Sequence, residues 1–238
     1  MADNVENNRE LWNEIYSERE QMWSGKPNAS LVTLIGDRAP GTVLDLGCGE
    51  GGDVLWLAAR GWQATGIDIS DVAVGRARAR AAAEGLEASF IDADLTDWST
   101  DQRFDLIVTS FLQSYADFDR LPLLAAALDL LKPGGELISV AHAGAPSFAD
   151  PEDARKHRAR MVKAAEEARA LTHSRDDIEI VLAEEWARDI TSPEGEPATI
   201  PDAVMVLRRA VHLKNSETLR GSVAGYLQLG ELSGQPLL

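Results

Sequence analysis

The residues best able to do chemistry cluster in Val43-Leu44-Asp45-Leu46-Gly47-Cys48-Gly49-Glu50-Gly51-Gly52-Asp53, an apolar run that breaks into a glycine-rich turn. Glycine permits a tight turn and lets a ligand approach the backbone, and a helix that starts there presents its N-terminus to an anionic group. Gly47, Gly49 and Gly52 fit the G-x-G-x-x-G spacing of dinucleotide-binding turns, so the turn alone leaves the nucleoside ligand open. Two further acids narrow the choice. In Gly66-Ile67-Asp68-Ile69-Ser70 the carboxylate of Asp68 stands at a strand tip, where it can accept from both hydroxyls of a ribose. In Ile91-Asp92-Ala93-Asp94-Leu95 a third apolar run ends the same way, and Asp94 is placed to accept from an adenine amino group. A dinucleotide turn does not ordinarily bring that third acid.

The remaining candidates each carry a plainer reading beside the functional one. Asp45 serves either as a ligand contact or as an acceptor that ties up amides of the glycine turn. Cys48 reads as a small packing residue, because no histidine or second cysteine suggests an activated thiolate. Tyr16 and Trp23, ahead of the first strand, are either core aromatics of a cap or part of a lid over the site. His142 and Tyr115, with Gln113 and Ser114 beside the latter, follow predicted strands at the rim where an acceptor would enter. They are candidate catalytic residues, with exposed loop positions as the alternative. His157, His173 and His212 read as surface residues, and no Cys/His cluster has metal-ligand spacing.

Positioning these residues at one rim requires strands that alternate with helices. Strand-length apolar runs at 42–46, 63–67, 87–91, 104–109 and 136–140 alternate with helical periods at 51–60, 71–84 and 120–131, the pattern of βαβ units on a parallel sheet. Ser70 is the expected N-cap of the second of these helices. Helical segments at 7–20 and 28–35 precede the sheet, and a polar helical stretch spans 151–172. Apolar runs at 178–190 and 203–209, joined through Ser192, Pro193, Gly195 and Pro197, predict a hairpin that closes one sheet edge. The expectation is a single doubly wound α/β domain over 1–212, with a mostly parallel seven-stranded sheet and an antiparallel edge strand. Residues 1–36 form a helical cap, 143–175 a helical insertion and 213–238 an extension or tail.

Thirty-nine acidic against 23 basic side chains give a formal charge of -16, which repels nucleic-acid phosphates and anionic lipid. The densest basic strip, Arg76, Arg78 and Arg80, reads as an ordinary solvated helix face. A single cysteine is consistent with a reducing cytoplasm, and neither a signal peptide nor a span of ~20 apolar residues is legible. Nucleic acid and membrane are therefore not expected partners; a small molecule is, with the protein a monomer or homodimer.

In this order the motifs resemble the class I S-adenosylmethionine-dependent methyltransferases, from about Trp12 to Arg209. The family's D-x-G-x-G-x-G turn matches Asp45, Gly47, Gly49 and Gly51, which the resemblance places around the methionine part of S-adenosyl-L-methionine. Asp68 matches the ribose acid, with Ile69 beside it, and Asp94 the acid near the adenine, with Ala93 and Leu95. Phe104-Asp105-Leu106-Ile107-Val108, followed by Thr109 and Ser110, is similar to the fourth-strand motif, and Leu131-Lys132-Pro133-Gly134-Gly135 to the turn before strand five. Trp12, Tyr16, Trp23, Pro27 and Asn28 further resemble the small-molecule branch that includes thiopurine and tellurite-type enzymes. The resemblance implies a Rossmann-like fold, no metal and methyl transfer to a small-molecule S, N or O acceptor. Two rivals remain at this stage: a nicotinamide-dependent oxidoreductase, and a catalytically silent cofactor-binding protein.

Overall fold

Apolar side chains on both sides of a strand demand cover on both faces of the sheet. The computed structural model, which describes residues 2–112, 119–157 and 161–211, supplies it. The strands are β1 (Thr42–Leu46), β2 (Gln63–Asp68), β3 (Ala88–Asp92), β4 (Phe104–Ser110), β5 (Leu131–His142), β6 (Ile178–Thr191) and β7 (Pro197–Arg209). They form one sheet in the order β3-β2-β1-β4-β5-β7-β6. The first five pair in parallel, and β7 runs antiparallel to both of its neighbours, so the expected hairpin closes the edge.

Neighbouring residues on each strand enter opposite cores, as the two-residue period of a strand requires. Val43, Leu106, Val108, Ile138 and Val206 pack with α2 (Ala29–Ile35), α3 (Gly52–Ala58) and α4 (Asp71–Glu84). Leu44, Ile107, Leu137, Met205 and Leu207 pack with α5 (Arg120–Asp129) and α7 (Ala164–Thr172). Leu124 and Leu128 of α5, one helical turn apart, are fully buried, each worth about 1.5–3 kcal/mol. The two remaining helices are α1 (Ala2–Ser17), ahead of the sheet, and α6 (Pro151–His157).

Helix ends follow their capping residues. Ser70 Oγ accepts from Ala73 N at 3.1 Å to start α4, and left-handed Gly85 at φ 65 ends it. Asn28 Oδ1 accepts from Ser30 N and Leu31 N to start α2. Other boundaries depart from expectation. The segment 132–135, read as a turn before strand five, lies within β5, beside a register shift between Phe104 and Leu106. β7 starts at Pro197 rather than near Ala203. Ahead of Asp202 it pairs with β6 on one side only, which is where a strand tolerates Pro201. The polar stretch 151–172 is two helices, and Ala168 and Leu171 of the second enter the core. Residues 212–238, including His212, lie outside the described residues, as do Gln113, Ser114, Tyr115 and the side chain of His157.

Candidate active site

β1 pairs with β2 on one side and β4 on the other, so the chain leaves it in opposite directions and opens a crevice beyond the strands' C-terminal ends. A cleft of about 1760 Å³ occupies that place. The glycine turn forms its floor. Gly47, Gly49 and Gly51 all have positive φ, at 75, 51 and 78. A Cβ at Gly49 would stand 2.7 Å from the Tyr16 hydroxyl, and one at Gly51 2.8 Å from the Phe90 ring. These positions are glycine for both reasons. The turn's amides are used internally: Gly47 N and Cys48 N donate to Ile67 O, Gly51 N to Cys48 O, and Gly49 N to the Asp68 carboxylate at 2.8 Å. The first residue of α3, Gly52, lies against the Lys26 carbonyl. The helix start is thus covered by chain and does not form the open anion cradle expected from the glycines.

Carboxylates dominate the floor. Asp45, Asp53 and Asp68 are all buried. Burial pushes each above the ordinary carboxylate range, and for Asp45 the nearby Asp53 and Asp68 add to it. Asp45 takes no hydrogen bond and no ion pair among the described residues, so it does not tie up the glycine turn; that role belongs to Asp68. Asp68, at the strand tip, is only 8% exposed, its two oxygens accepting from Gly49 N and Ser70 N. Burial raises the Cys48 thiol, with Asp68 adding to it, and the residue packs in the core as expected. Among the described residues no His, Cys, Asp and Glu group could hold a metal ion.

The segment Met22–Asn28 is bolted onto this floor by acids and arginines. Glu50 accepts from Met22 N and Trp23 N and pairs with Arg76 at 2.8 Å. Asp53 accepts from Asn28 N at 2.6 Å and from Ser110 Oγ at 2.7 Å, tying cap, turn and strand four together. Arg76 also donates to Arg19 O, and Arg80 to Gly25 O. These arginines are therefore cap clamps rather than a solvated face. Arg78 pairs with Asp92 at the sheet edge. Tyr16 is 4% exposed, with its hydroxyl over Gly49 and accepting from Trp23 Nε1 at 3.2 Å; burial pushes its phenol well up. Trp23, 54% exposed, forms the outer rim.

At the other end of the cleft lie Phe111 and His142. Their rings stack with centroids 4.3 Å apart, and Phe111 holds a positive φ of 57, unusual for a residue with a bulky side chain. His142 Nδ1 is 3.9 Å from Asp202, which is fully buried and gripped by Arg188 Nε at 2.6 Å. Burial lowers the imidazole pKa; Asp202 opposes that and Arg188 adds to it. Arg120, 9% exposed, lies 3.0 Å from Glu167 and donates to Ser139.

Of the candidates within the described residues, Tyr16, Trp23, Asp45, Gly47, Gly49, Asp68, Ile69, Asp94, Leu95, Ser110 and His142 all line this cleft. Gly51 and Ala93 stand behind its wall, Gly51 against Phe90 and Ala93 against the core. Asp94 is half-buried and spends one oxygen on the amide and hydroxyl of Thr96. Tyr115 falls outside the described residues. Glu50, Asp53, Phe111, Arg188 and Asp202 went unread; an acid set in an apolar strand, as in Pro201-Asp202-Ala203-Val204, was the available signal for the last.

Residues 43–135 match the methyltransferase domain family. The chain is 32% identical over 158 residues to probable thiol methyltransferase 2 of Arabidopsis thaliana, covering 58% of this chain and 70% of that protein. It is 37% identical over 123 residues to ribosomal RNA small subunit methyltransferase C of Alcanivorax borkumensis, but spans only 37% of that protein's length and 50% of its own. A structure solved for the conversion of a disulfide bond into a thioacetal group during echinomycin biosynthesis superposes with TM-score 0.65. It has 26% identity and covers 92% of this chain and 100% of the other. No helix among the described residues is long and apolar enough to cross a membrane.

Proposed function

Because the chain belongs to the class I S-adenosylmethionine-dependent methyltransferases, we propose that it methylates a small molecule bound at the Phe111–His142 end of the cleft. The observation that carries this reading is the buried acid set Asp45, Asp53 and Asp68, which among the described residues has no ion-pair partner. Buried carboxylates held above their usual range favour a cation arriving beside them, and S-adenosylmethionine brings a sulfonium and an ammonium. The left-handed glycines leave no room for a Cβ there, because Leu112, Tyr16 and Phe90 pack against them.

In this reading Gly47, Gly49 and Gly51 shape the floor under the methionine part, with Asp45 facing its ammonium. Asp68 already takes two amides, and an ionised carboxylate has about four acceptor sites, so room remains for ribose hydroxyls. Ile69 and Leu95 flank the adenine, with Ala93 behind them, and the free oxygen of Asp94 takes its amino group. Ser110, held by Asp53, edges the methyl path, and Tyr16 and Trp23 cover it. When bound, S-adenosylmethionine supplies an activated methyl group to the acceptor. The protein's share is to hold the acceptor in line and exclude water, and such positioning is worth up to ~7–11 kcal/mol.

A small acceptor is favoured over RNA by the charge of -16, which repels phosphates. The thiol methyltransferase likeness supports the same choice. The test is release of S-adenosylhomocysteine with a panel of thiols, phenols, heterocyclic amines and a ribosomal RNA transcript. Turnover with members of the small-molecule set is expected; turnover with the transcript alone would overturn the reading.

A further inference from the structure

The β6–β7 hairpin outruns the sheet that it closes. The last residue of β5, His142, pairs with Asp202, and from there back to Pro197 the hairpin continues past the C-terminal end of β5 with only itself as partner. β5 runs parallel to β4, and β4 to β1, so this overhang stands at the rim where the crevice opens. Arg188 sits on the overhang opposite Ile200, and Asp202, two residues further along β7, presents its side chain on the same face. The period of the strand thus brings an arginine and an acid together at the mouth of the cleft.

The pair uses only part of the arginine. Asp202 is fully buried and both its oxygens accept from Arg188, Oδ2 from Nε at 2.6 Å and Oδ1 from Nη2 at 3.2 Å. A guanidinium is flat and carries five N–H donors, so that Nε with one Nη makes one edge that matches a carboxylate and the two Nη atoms make another. Asp202 occupies the first edge. The second, Nη1 with the outer N–H of Nη2, has no acceptor among the described residues. The side chain is 28% exposed and lines the main cleft. Its guanidinium carbon stands 5.2 Å over the Phe111 ring, whose own amide is tied to Val140 O, and this contact helps fix the plane of the fork. The other cations at this end are spent differently: Arg120 on Ser139 and Glu167 within the wall, Lys163 on Glu166.

We propose that Arg188 determines acceptor specificity, and that the methyl acceptor bears a carboxylate, set apart from the atom to be methylated, which docks bidentate on this open edge. The proposal rests on the methyltransferase reading of the cleft. Asp202 holds the arginine from behind, so little side-chain freedom remains to be lost when the carboxylate arrives. The formal charge of -16 does not oppose this, because exposed charges beyond a Debye length of about 8–10 Å are largely screened while the fork acts at hydrogen-bond distance.

Short mercaptoalkanoates and the isomeric mercaptobenzoates, each compared with its primary amide, test the proposal on the full chain. Affinity is read by calorimetry with S-adenosylhomocysteine already bound, and turnover by release of S-adenosylhomocysteine from S-adenosylmethionine. The best acid should bind about tenfold or more tighter than its amide, the size of a lost charge-assisted hydrogen bond, and be favoured in kcat/KM by a similar factor. Arg188→Gln should abolish that ratio. Because this change strands a buried carboxylate and can unfold the protein, Arg188→Gln combined with Asp202→Asn removes both charges together and should abolish the ratio as well. Arg188→Lys, which keeps the charge without the fork, should retain only part of it. Lys163→Gln removes a charge at the same end of the cleft without touching the fork, and should leave the ratio as it is. If no acid is preferred to its amide by a protein that binds S-adenosylhomocysteine, the carboxylate is wrong. A preference that survives in the double variant, or that falls as far in Lys163→Gln, overturns Arg188 as its source. Failure to bind S-adenosylhomocysteine overturns the methyltransferase reading beneath the proposal.

Discussion

Replacing Asp68 with alanine removes the acceptor of two backbone donors, Gly49 N at 2.8 Å and Ser70 N at 2.9 Å, at a position 8% exposed. A buried donor left unpaired costs about 1–3 kcal/mol, so the gross loss is about 2–6 kcal/mol. Two effects offset part of it. The native carboxyl is itself penalised by burial, which raises its pKa, and water from the cleft can reach the freed amides. A net loss of about 2–4 kcal/mol follows, a large share of the ~5–15 kcal/mol that holds a domain of this kind. Asp68→Asn keeps one carbonyl oxygen for one of the two amides and should lose about half as much. Guanidinium unfolding followed by tryptophan fluorescence reads both variants as midpoint shifts at unchanged slope. S-adenosylhomocysteine titration under native conditions then shows both losing affinity. Asp68→Ala unfolding at the wild-type midpoint would refute the claim that this carboxylate holds the glycine turn to β2.

Asp45, Asp53 and Asp68 all have folded pKa values raised above their unfolded ones. Their stabilisation is therefore complete below the unfolded Asp value, about pH 4, and is lost as pH rises through the folded values. The ligand-free protein should show this as a urea midpoint falling between mildly acid and mildly alkaline buffer, and Asp45→Asn should flatten the fall; an unchanged slope would remove Asp45 from the coupled set. Gly49→Ala forces a side chain onto φ 51 and a Cβ to 2.7 Å from the Tyr16 hydroxyl, for a strain of about 1–2 kcal/mol. It should lower the melting temperature and expose Tyr16, whose fluorescence and proteolytic protection report the displacement. Arg76→Ala leaves Glu50 and the Arg19 carbonyl without their clamp; cleavage by trypsin within residues 19–26 should accelerate severalfold while global unfolding shifts by about 1 kcal/mol or less, in line with a partly exposed ion pair.

Local chemistry was legible where neighbours in sequence are neighbours in space. Ser70 caps α4 as expected, and the apolar runs 42–46, 63–67 and 87–91 became adjacent parallel strands because each needs cover on both faces. The cleft likewise gathers most of the acids and glycines singled out from the turn. What escaped depends on distant partners. Arg76 and Arg80 look like a solvated face until the cap loop, some 50 residues earlier in the chain, folds over them. Asp53 reads as an ordinary first-turn acid until Asn28 and Ser110 reach it from two other elements. Asp202 and Arg188 meet only through the register of β6 on β7, and that register runs through prolines that mark a loop in sequence.

Calorimetric titration of the purified full chain with S-adenosylmethionine, S-adenosylhomocysteine and NADH, each also into Asp45→Asn, tests the central claim most directly. The account predicts binding of both sulfur compounds and weaker binding of each to the variant, because the ammonium loses the carboxylate facing it, with no heat from NADH. Binding of NADH without S-adenosylhomocysteine, or S-adenosylmethionine affinity untouched by Asp45→Asn, would contradict it.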